Sequence, residues 1–382
     1  MENKINEIIS KSFLKMADYL EKKDVLNDYT VGVTLLGSEL GIDHIVKGAE
    51  EAKRKLNINV VLIGPKVETD LPIYEAETED EAHKKLDELL CKKEIDAVVT
   101  MHYNFPIGVS TVGRVVTPMG KDIFLATTTG TTSTNRIEGM IKNTIYGSIV
   151  AKSCGIEKPT VGILNIEGAK EVEKQLKKIK ELGYDINFGV SQRGDGGVFL
   201  RGNDLILGSC DVVVTDSLTG NILMKMFSAF NSGGKEEVCG YGYGPGIGFS
   251  YENKVFIVSR ASGKNVIKGA IEYAYDTLRG DINKILKEEE VKLKKLNFED
   301  FLKENLKDKK VVVTSGVTLE KEVVTAQIPG IDIMELDNAV EFLKEKGIYS
   351  EAGMGCTGPI VMVNEAKEEI AIKYLKEGEF LS

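Results

Sequence analysis

The chain has 382 residues, 42% of them hydrophobic and 28% charged, the make-up of an ordinary globular protein of two or three domains. Its 49 basic and 59 acidic residues leave a net charge of −10, which argues against the basic stripe of a nucleic-acid binder and against charge-driven attachment to acidic membranes. No apolar run approaches the ~20 residues of a membrane span, and Met1–Glu7 lacks the layout of a signal peptide, so the expectation is a cytoplasmic chain.

Residues 4–22 place Ile5, Ile8, Ile9, Phe13, Leu14, Met16, Ala17 and Leu20 at mostly helical spacing, which predicts an amphipathic helix within an N-terminal segment, 1–29. Strands and helices then alternate. Strands are predicted at Thr30–Leu36, Asn59–Gly64, Ala97–Met101, Asp122–Thr127, Pro159–Leu164, Asp185–Val190, Val212–Thr215 and Val255–Val258. Helices are predicted at Gly41–Leu56, Glu79–Lys92, Asn135–Lys152, Ala169–Leu182, Ile222–Phe230 and from Asn265 to Thr277. Short Val/Ile runs between charged or Ala-rich helices are the mark of an α/β fold, a mostly parallel, doubly wound sheet covered on both faces. Asp281–Asn305, with Lys and Glu interleaved, predicts a solvated connecting helix. A boundary near Leu296–Asp308 then separates a body, 30–296, from a small C-terminal β/α domain, 308–382, that begins with a strand at Lys310–Thr314.

Four stretches bear on chemistry. Asp216-Ser217-Leu218-Thr219-Gly220-Asn221 lies where a parallel strand meets a helix, the place where open α/β sheets bind ligands. Free N–H groups at a helix start suit an anion, with Thr219 and Asn221 as neutral donors and Lys225 as a cation one turn into the helix that follows; an ordinary N-cap turn is the plain alternative. Thr127–Arg136 is a second hydroxyl-rich junction, in which Thr129 is a candidate contact to phosphate or acyl oxygen and Arg136 its charge partner; the plain alternative is a cap for the following helix. Arg193, in Ser191–Gly197, is either a bidentate phosphate clamp or part of an exposed turn. Gly240–Gly248 is glycine-rich, but it matches neither a GxxxxGK[ST] loop nor a dinucleotide fingerprint, so neither ATP nor NAD is indicated.

The fourth stretch is Glu351-Ala352-Gly353-Met354-Gly355-Cys356-Thr357-Gly358-Pro359. A thiol in a Gly-rich turn, with free N–H groups on Gly355, Thr357 and Gly358, suits a reactive thiolate or a held thioester. A small apolar residue filling a turn is the competing reading. Cys91, Cys154, Cys210 and Cys239 read as core or helix-face residues, and His102, after a strand, as a packed side chain. With no CxxC pair and no His near the cysteines, free thiols and no metal site are expected.

Val161–Glu167, Gly183–Phe188 and Cys210–Asn221 together resemble the PlsX phosphate acyltransferase family of bacterial phospholipid synthesis, over roughly residues 30–280. Two features depart from that family: Leu35–Gly41 replaces its Asp- and Gly-rich first motif, and its chains end near the start of residues 308–382. With the Gly355–Pro359 stretch included, the whole chain resembles the alpha subunits of component C of the glycine, sarcosine and betaine reductase complex. The resemblance implies an isocitrate-dehydrogenase-like acyltransferase fold and an acetyl thioester on Cys356 that phosphate cleaves to acetyl phosphate. It also implies a ketoacyl-synthase-like beta subunit of component C as partner and selenoprotein A as acetyl donor. No cofactor is implied beyond inorganic phosphate as substrate, and the oligomer can be homo- or heteromeric. A free-standing acyl-carrier-protein:phosphate acyltransferase and a non-catalytic scaffold are the alternatives.

Overall fold

The computed structural model describes residues 29–381 except 57, 193–196, 307–318, 320, 333–334 and 356–357. The predicted helix over residues 4–22 and strand over 310–314 lie outside the described residues. In chain order the body carries β1 (Thr30–Thr34), α1 (Ile42–Leu56), β2 (Asn59–Gly64), β3 (Ile73–Glu75), α2 (Glu79–Cys91), β4 (Ala97–Thr100), β5 (Val109–Val116) and β6 (Asp122–Thr131). There follow α3 (Arg136–Ser153), β7 (Val161–Leu164), α4 (Ala169–Glu181), β8 (Phe199–Leu200), α5 (Gly202–Leu207), β9 (Val212–Val214), α6 (Ser217–Ala229), β10 (Gly244–Ile247), β11 (Val255–Ile257), α7 (Lys264–Arg279), α8 (Ile282–Lys295) and α9 (Phe298–Asn305).

One sheet takes the order β3-β2-β1-β4-β11-β10-β5-β6-β9-β7-β8. Two parallel blocks, β3 to β11 and β6 to β8, are joined by β10 and β5, each antiparallel to both its neighbours. Runs such as Val60–Ile63 and Ala97–Val99 are buried along their whole length, because helices cover both faces. One face packs Ile45, Val172, Ile267 and Leu286 from α1, α4, α7 and α8, with α3 between them. The other packs Leu86, Leu205 and Met224 from α2, α5 and α6. Three antiparallel steps separate β11 from β6, so the two parallel blocks run in opposite senses and their carboxyl ends open at opposite edges of the sheet.

Several expectations are corrected. The glycine-rich segment predicted as a loop contains β10; Gly244 (φ +86°) lies so close to β5 that a Cβ there would meet the Val112 carbonyl oxygen at 1.7 Å. β6 runs on through Thr131, so the first half of the hydroxyl-rich junction is strand. Asp185–Val190 contributes only an isolated bridge, Phe188 to Val161. Asp281–Asn305 is two helices that turn at Asn297 (φ 51°), and it is not simply solvated: Ile282, Leu286, Leu293, Phe298 and Leu302 are buried against the body.

A separate three-stranded sheet, β12 (Ala326–Pro329), β14 (Gly358–Val363) and β13 (Ser350–Gly355), is packed by α10 (Leu336–Glu345) and α11 (Glu368–Glu377) around its own core of Ile328, Leu343, Val361 and Leu375. It rests on α4, where Lys174 Nζ lies 2.7 Å from Glu379 and Lys170 Nζ donates to the Gly330 carbonyl.

Candidate functional site

β9 is pinned beside β7 by Asp211, whose carboxylate accepts from the Thr160 amide and hydroxyl at 2.8 and 2.6 Å. Burial would raise this carboxyl, but the two Thr160 donors and Lys121 outweigh it and hold it below the usual range. The strand therefore delivers Thr215 and Asp216 to its carboxyl edge beside β6, where the Thr215 amide donates to Ala126 O and the Thr127 amide to Thr215 O.

At that edge α6 begins. Asp216 is its N-cap: the side chain accepts from the Thr219 amide at 2.8 Å and the Thr219 hydroxyl at 3.0 Å. Arg136, the first residue of α3, donates to Asp216 Oδ2 at 2.8 Å and to Glu167 Oε2 at 2.9 Å. One guanidinium thus ties together the loops after β7 and β9. Gly220 lets α6 start against β6, since a Cβ there would lie 1.8 Å from the Thr127 carbonyl oxygen. Asn221 Nδ2 donates to the Thr128 carbonyl at 3.4 Å. Ser217 and Thr129 are half-buried beside this turn.

Beneath lies a buried hydroxyl layer. Thr111 and Thr128 share a 2.7 Å hydrogen bond, Thr127 donates to Thr111 O at 2.6 Å, and Thr132 donates to Asn143 Oδ1 at 2.6 Å. Thr215 is fully buried next to Asp216, and its hydroxyl has no partner among the described residues.

Asp216, Ser217, Thr219, Gly220, Asn221 and Thr129 thus gather at one sheet edge, with Arg136. Asp216 is committed to its cap and its ion pair, a positioning arrangement rather than that of a free base. Lys225 does not join them. Nine residues past the cap, it lies about 13 Å down the helix, with Nζ 3.8 Å from Glu237 and 6.0 Å above the Tyr243 ring. Glu237 is buried and also accepts from Tyr243 Oη and Ser262 Oγ, each at 3.0 Å. His102 is exposed and stacks on His83 at 5.9 Å, at the opposite carboxyl edge, and so is not a core side chain.

Arg193 lies outside the described residues; the loop leading to it is anchored by Asp204, which accepts from Ser191 Oγ and the Gln192 amide at 2.9 and 2.8 Å. Cys356 and Thr357 also lie outside them. Gly355 and Gly358 face each other at the end of the β13–β14 ladder, so glycines expected in a loop belong to a hairpin whose strands share backbone hydrogen bonds. Burial pushes the Cys154 thiol up to about 12 and Cys210 to about 11, and raises Cys239, so these thiols stay protonated at neutral pH. Glu167 and the Thr215 hydroxyl went unread in the sequence. For Glu167 the signal available was its place in Asn165-Ile166-Glu167-Gly168, straight after a strand and before a helix.

The profile of the family described as "Fatty acid synthesis protein" matches residues 29–362, and the chain belongs to that family. Within it, the chain is 53% identical to the glycine/sarcosine/betaine reductase complex component C subunit alpha of Peptoclostridium acidaminophilum, over 98% of both chains. It is 26% identical to the phosphate acyltransferase of Thermotoga neapolitana over 51% of this chain and 68% of that one. Among solved structures, a branched-chain phosphotransacylase from Enterococcus faecalis V583 aligns at a TM-score of 0.48 with 17% identity, covering 65% of this chain and 99% of the other.

Proposed function

We propose that the chain is the alpha subunit of a reductase component C and transfers an acetyl group from the thiol of Cys356 to inorganic phosphate. The observation that carries this reading is a 53% identity, sustained over 98% of the chain, to such a subunit. The Asp216–Asn221 segment supports it: helix-start N–H groups and Arg136 stand together at the carboxyl end of β9.

In the reaction a phosphate oxygen attacks the thioester carbonyl carbon, the carbon–sulfur bond breaks, and the electron pair leaves on sulfur as thiolate. The products are acetyl phosphate and a free Cys356. The Ser217 and Leu218 amides at the start of α6 hold the phosphate, the Thr219 amide being taken by the Asp216 cap, and positioning of this kind contributes several kcal/mol to such a step. Arg136 meets the phosphate only by giving up a carboxylate, and Glu167, the more exposed of its two partners, is the one it releases. No cofactor takes part. The acetyl donor is selenoprotein A, and a ketoacyl-synthase-like beta subunit is the partner in the cytoplasm. Among the described residues no helix is long and apolar enough to cross a membrane.

The test is labelling with radioactive acetyl phosphate, run in the reverse direction. Label should bind the wild-type chain, be released by hydroxylamine and be absent from Cys356→Ala. Label retained by that variant rules out the covalent role. Turnover of acyl-carrier-protein thioesters by the purified Cys356→Ala chain would support the phospholipid-type acyltransferase instead.

A further inference from the structure

α4 carries three lysines at intervals of four, Lys170, Lys174 and Lys178, beside the buried stripe of Val172, Leu176 and Ile179. Each reaches an acceptor late in the chain. Lys170, half-buried in the first turn, donates to the Gly330 carbonyl; Lys174 pairs with Glu379 at 2.7 Å; Lys178 donates to Asn305 Oδ1 at 3.3 Å. Asp332 adds a favourable charge near Lys170. Gly330 and Glu379 lie at one end of the small domain, the end that carries the β13–β14 hairpin. Gly330 follows Pro329, which pairs with Ile360, and Gly358 is two residues, ~7 Å of strand, from Ile360 toward the hairpin end. Glu379 is two residues before Leu381, whose Cδ2 would lie 3.4 Å from a Cβ on Gly330.

The other side of this contact is tied to the candidate site. Lys170 stands three residues after Glu167, which accepts from Arg136, the guanidinium that also holds Asp216. We infer that the lysine row of α4 is a dock that holds the small domain with its hairpin end beside the Glu167–Arg136–Asp216 edge of the same chain, with Lys170 and Lys174 as positioning residues for acyl transfer. The inference rests on the acyl-transfer reading, in which a thioester borne by that hairpin has to meet phosphate at that edge. The contact suits the task. The core of the small domain, Ile328, Leu343, Val361 and Leu375, is its own, so body and domain meet here through ammonium groups, a carbonyl and a carboxylate. Polar contacts of this kind place one domain against another without fusing the two cores. Each is weak as a source of stability, but a reacting group displaced by 1 Å costs about 10²-fold in rate.

The experiment has two readouts on the full chain. A water-soluble carbodiimide should join Lys174 to Glu379 as an amide within a single 41.9 kDa chain, found as a crosslinked peptide. The chain is then loaded with labelled acetyl phosphate, desalted and mixed with phosphate, and release of label is timed in a single turnover. Lys170→Met combined with Lys174→Met should slow release at saturating phosphate at least tenfold. The half-saturating phosphate concentration should stay as in the wild type, because Arg136 and the start of α6 are untouched, a split that general loss of structure would not give. Lys174→Glu should be slowed, and Glu379→Lys added to it should restore the rate. Lys177→Met is the control, since Lys177 is exposed and pairs with Glu173 of its own helix. A wild-type chain with no Lys174–Glu379 amide overturns the inference, and so does a double variant that releases label at the wild-type rate. The amide forms without any acetyl group, so a chain that gives it but takes no label on Cys356 refutes the acyl-transfer reading and leaves the dock standing.

Discussion

Gly220→Ala tests whether the candidate turn depends on the close seating of α6 on β6. The added Cβ would lie 1.8 Å from Thr127 O, 2.9 Å from Thr127 C and 3.2 Å from Thr215 Cγ2. The nearest obstacle is a strand carbonyl, which cannot swing aside as a side-chain tip does. An ordinary carbon–oxygen contact is about 1.5 Å longer than the first of these distances, so the start of the helix must lift by roughly 1 Å or more. Forcing an extra carbon into a packed interior costs about 1–3 kcal/mol, and a 1 Å misplacement of positioning groups costs about 10²-fold in rate. The expected outcome is a Tm lowered by several degrees and phosphate-dependent acyl transfer reduced about 100-fold. Gly202→Ala is the control: it opens α5, has nothing within 4 Å and is not at positive φ, so it should leave both readings unchanged. Thermal melts by circular dichroism and an arsenolysis assay with acetyl phosphate measure the two effects. A Gly220→Ala chain with wild-type Tm and wild-type rate would refute the reasoning.

Glu167→Gln frees one arm of Arg136; because exposed pairs are worth about 0.2–1 kcal/mol, the KM for phosphate should fall up to about fivefold, and steady-state kinetics that show it unchanged or higher contradict the clamp role. Asp204 is buried, which alone would raise its carboxyl, but the Arg201 and Gln192 amides and the Ser191 and Ser209 hydroxyls hold it below the usual range. Its stabilisation is therefore fully present above the unfolded carboxyl value near 4 and is lost as pH falls through the lower folded value. Asp204→Asn should cost about 2 kcal/mol at pH 7 in urea unfolding, a gap that narrows towards pH 3. Cys210, buried and with its thiol pushed up to about 11, should react with iodoacetamide at pH 7.5 only after unfolding, as peptide mass mapping would record; labelling of it in the native chain would contradict its burial.

The sequence carried the α/β architecture because parallel strands buried on both faces must be written as uninterrupted Val/Ile runs, and helices such as Ala169–Glu181 must be amphipathic to cover them. It also located the Asp216–Asn221 turn, since an N-cap and a close-approach glycine leave local marks. The charged segment 281–305 misled because its interleaved Lys and Glu drew the reading to solvent, although Ile282, Leu286 and Leu293 recur at helical spacing and the packed body buries them. β10 was illegible because glycines that normally signal a loop are needed there to wedge a strand between β5 and β11.

Taken alone, the sequence determined buried parallel strands such as Asn59–Gly64 and Val212–Val214 and offered Asp216 as a helix cap, both matters of neighbours a few residues away. Only the tertiary structure decided that Arg136 joins Asp216 to Glu167 across 80 and 31 residues of chain, and that Lys225 turns instead to the buried Glu237. It likewise decided that the two parallel blocks open at opposite edges. Such pairings are set by strand order and direction, and these follow from how the whole apolar surface is buried together, not from any local pattern.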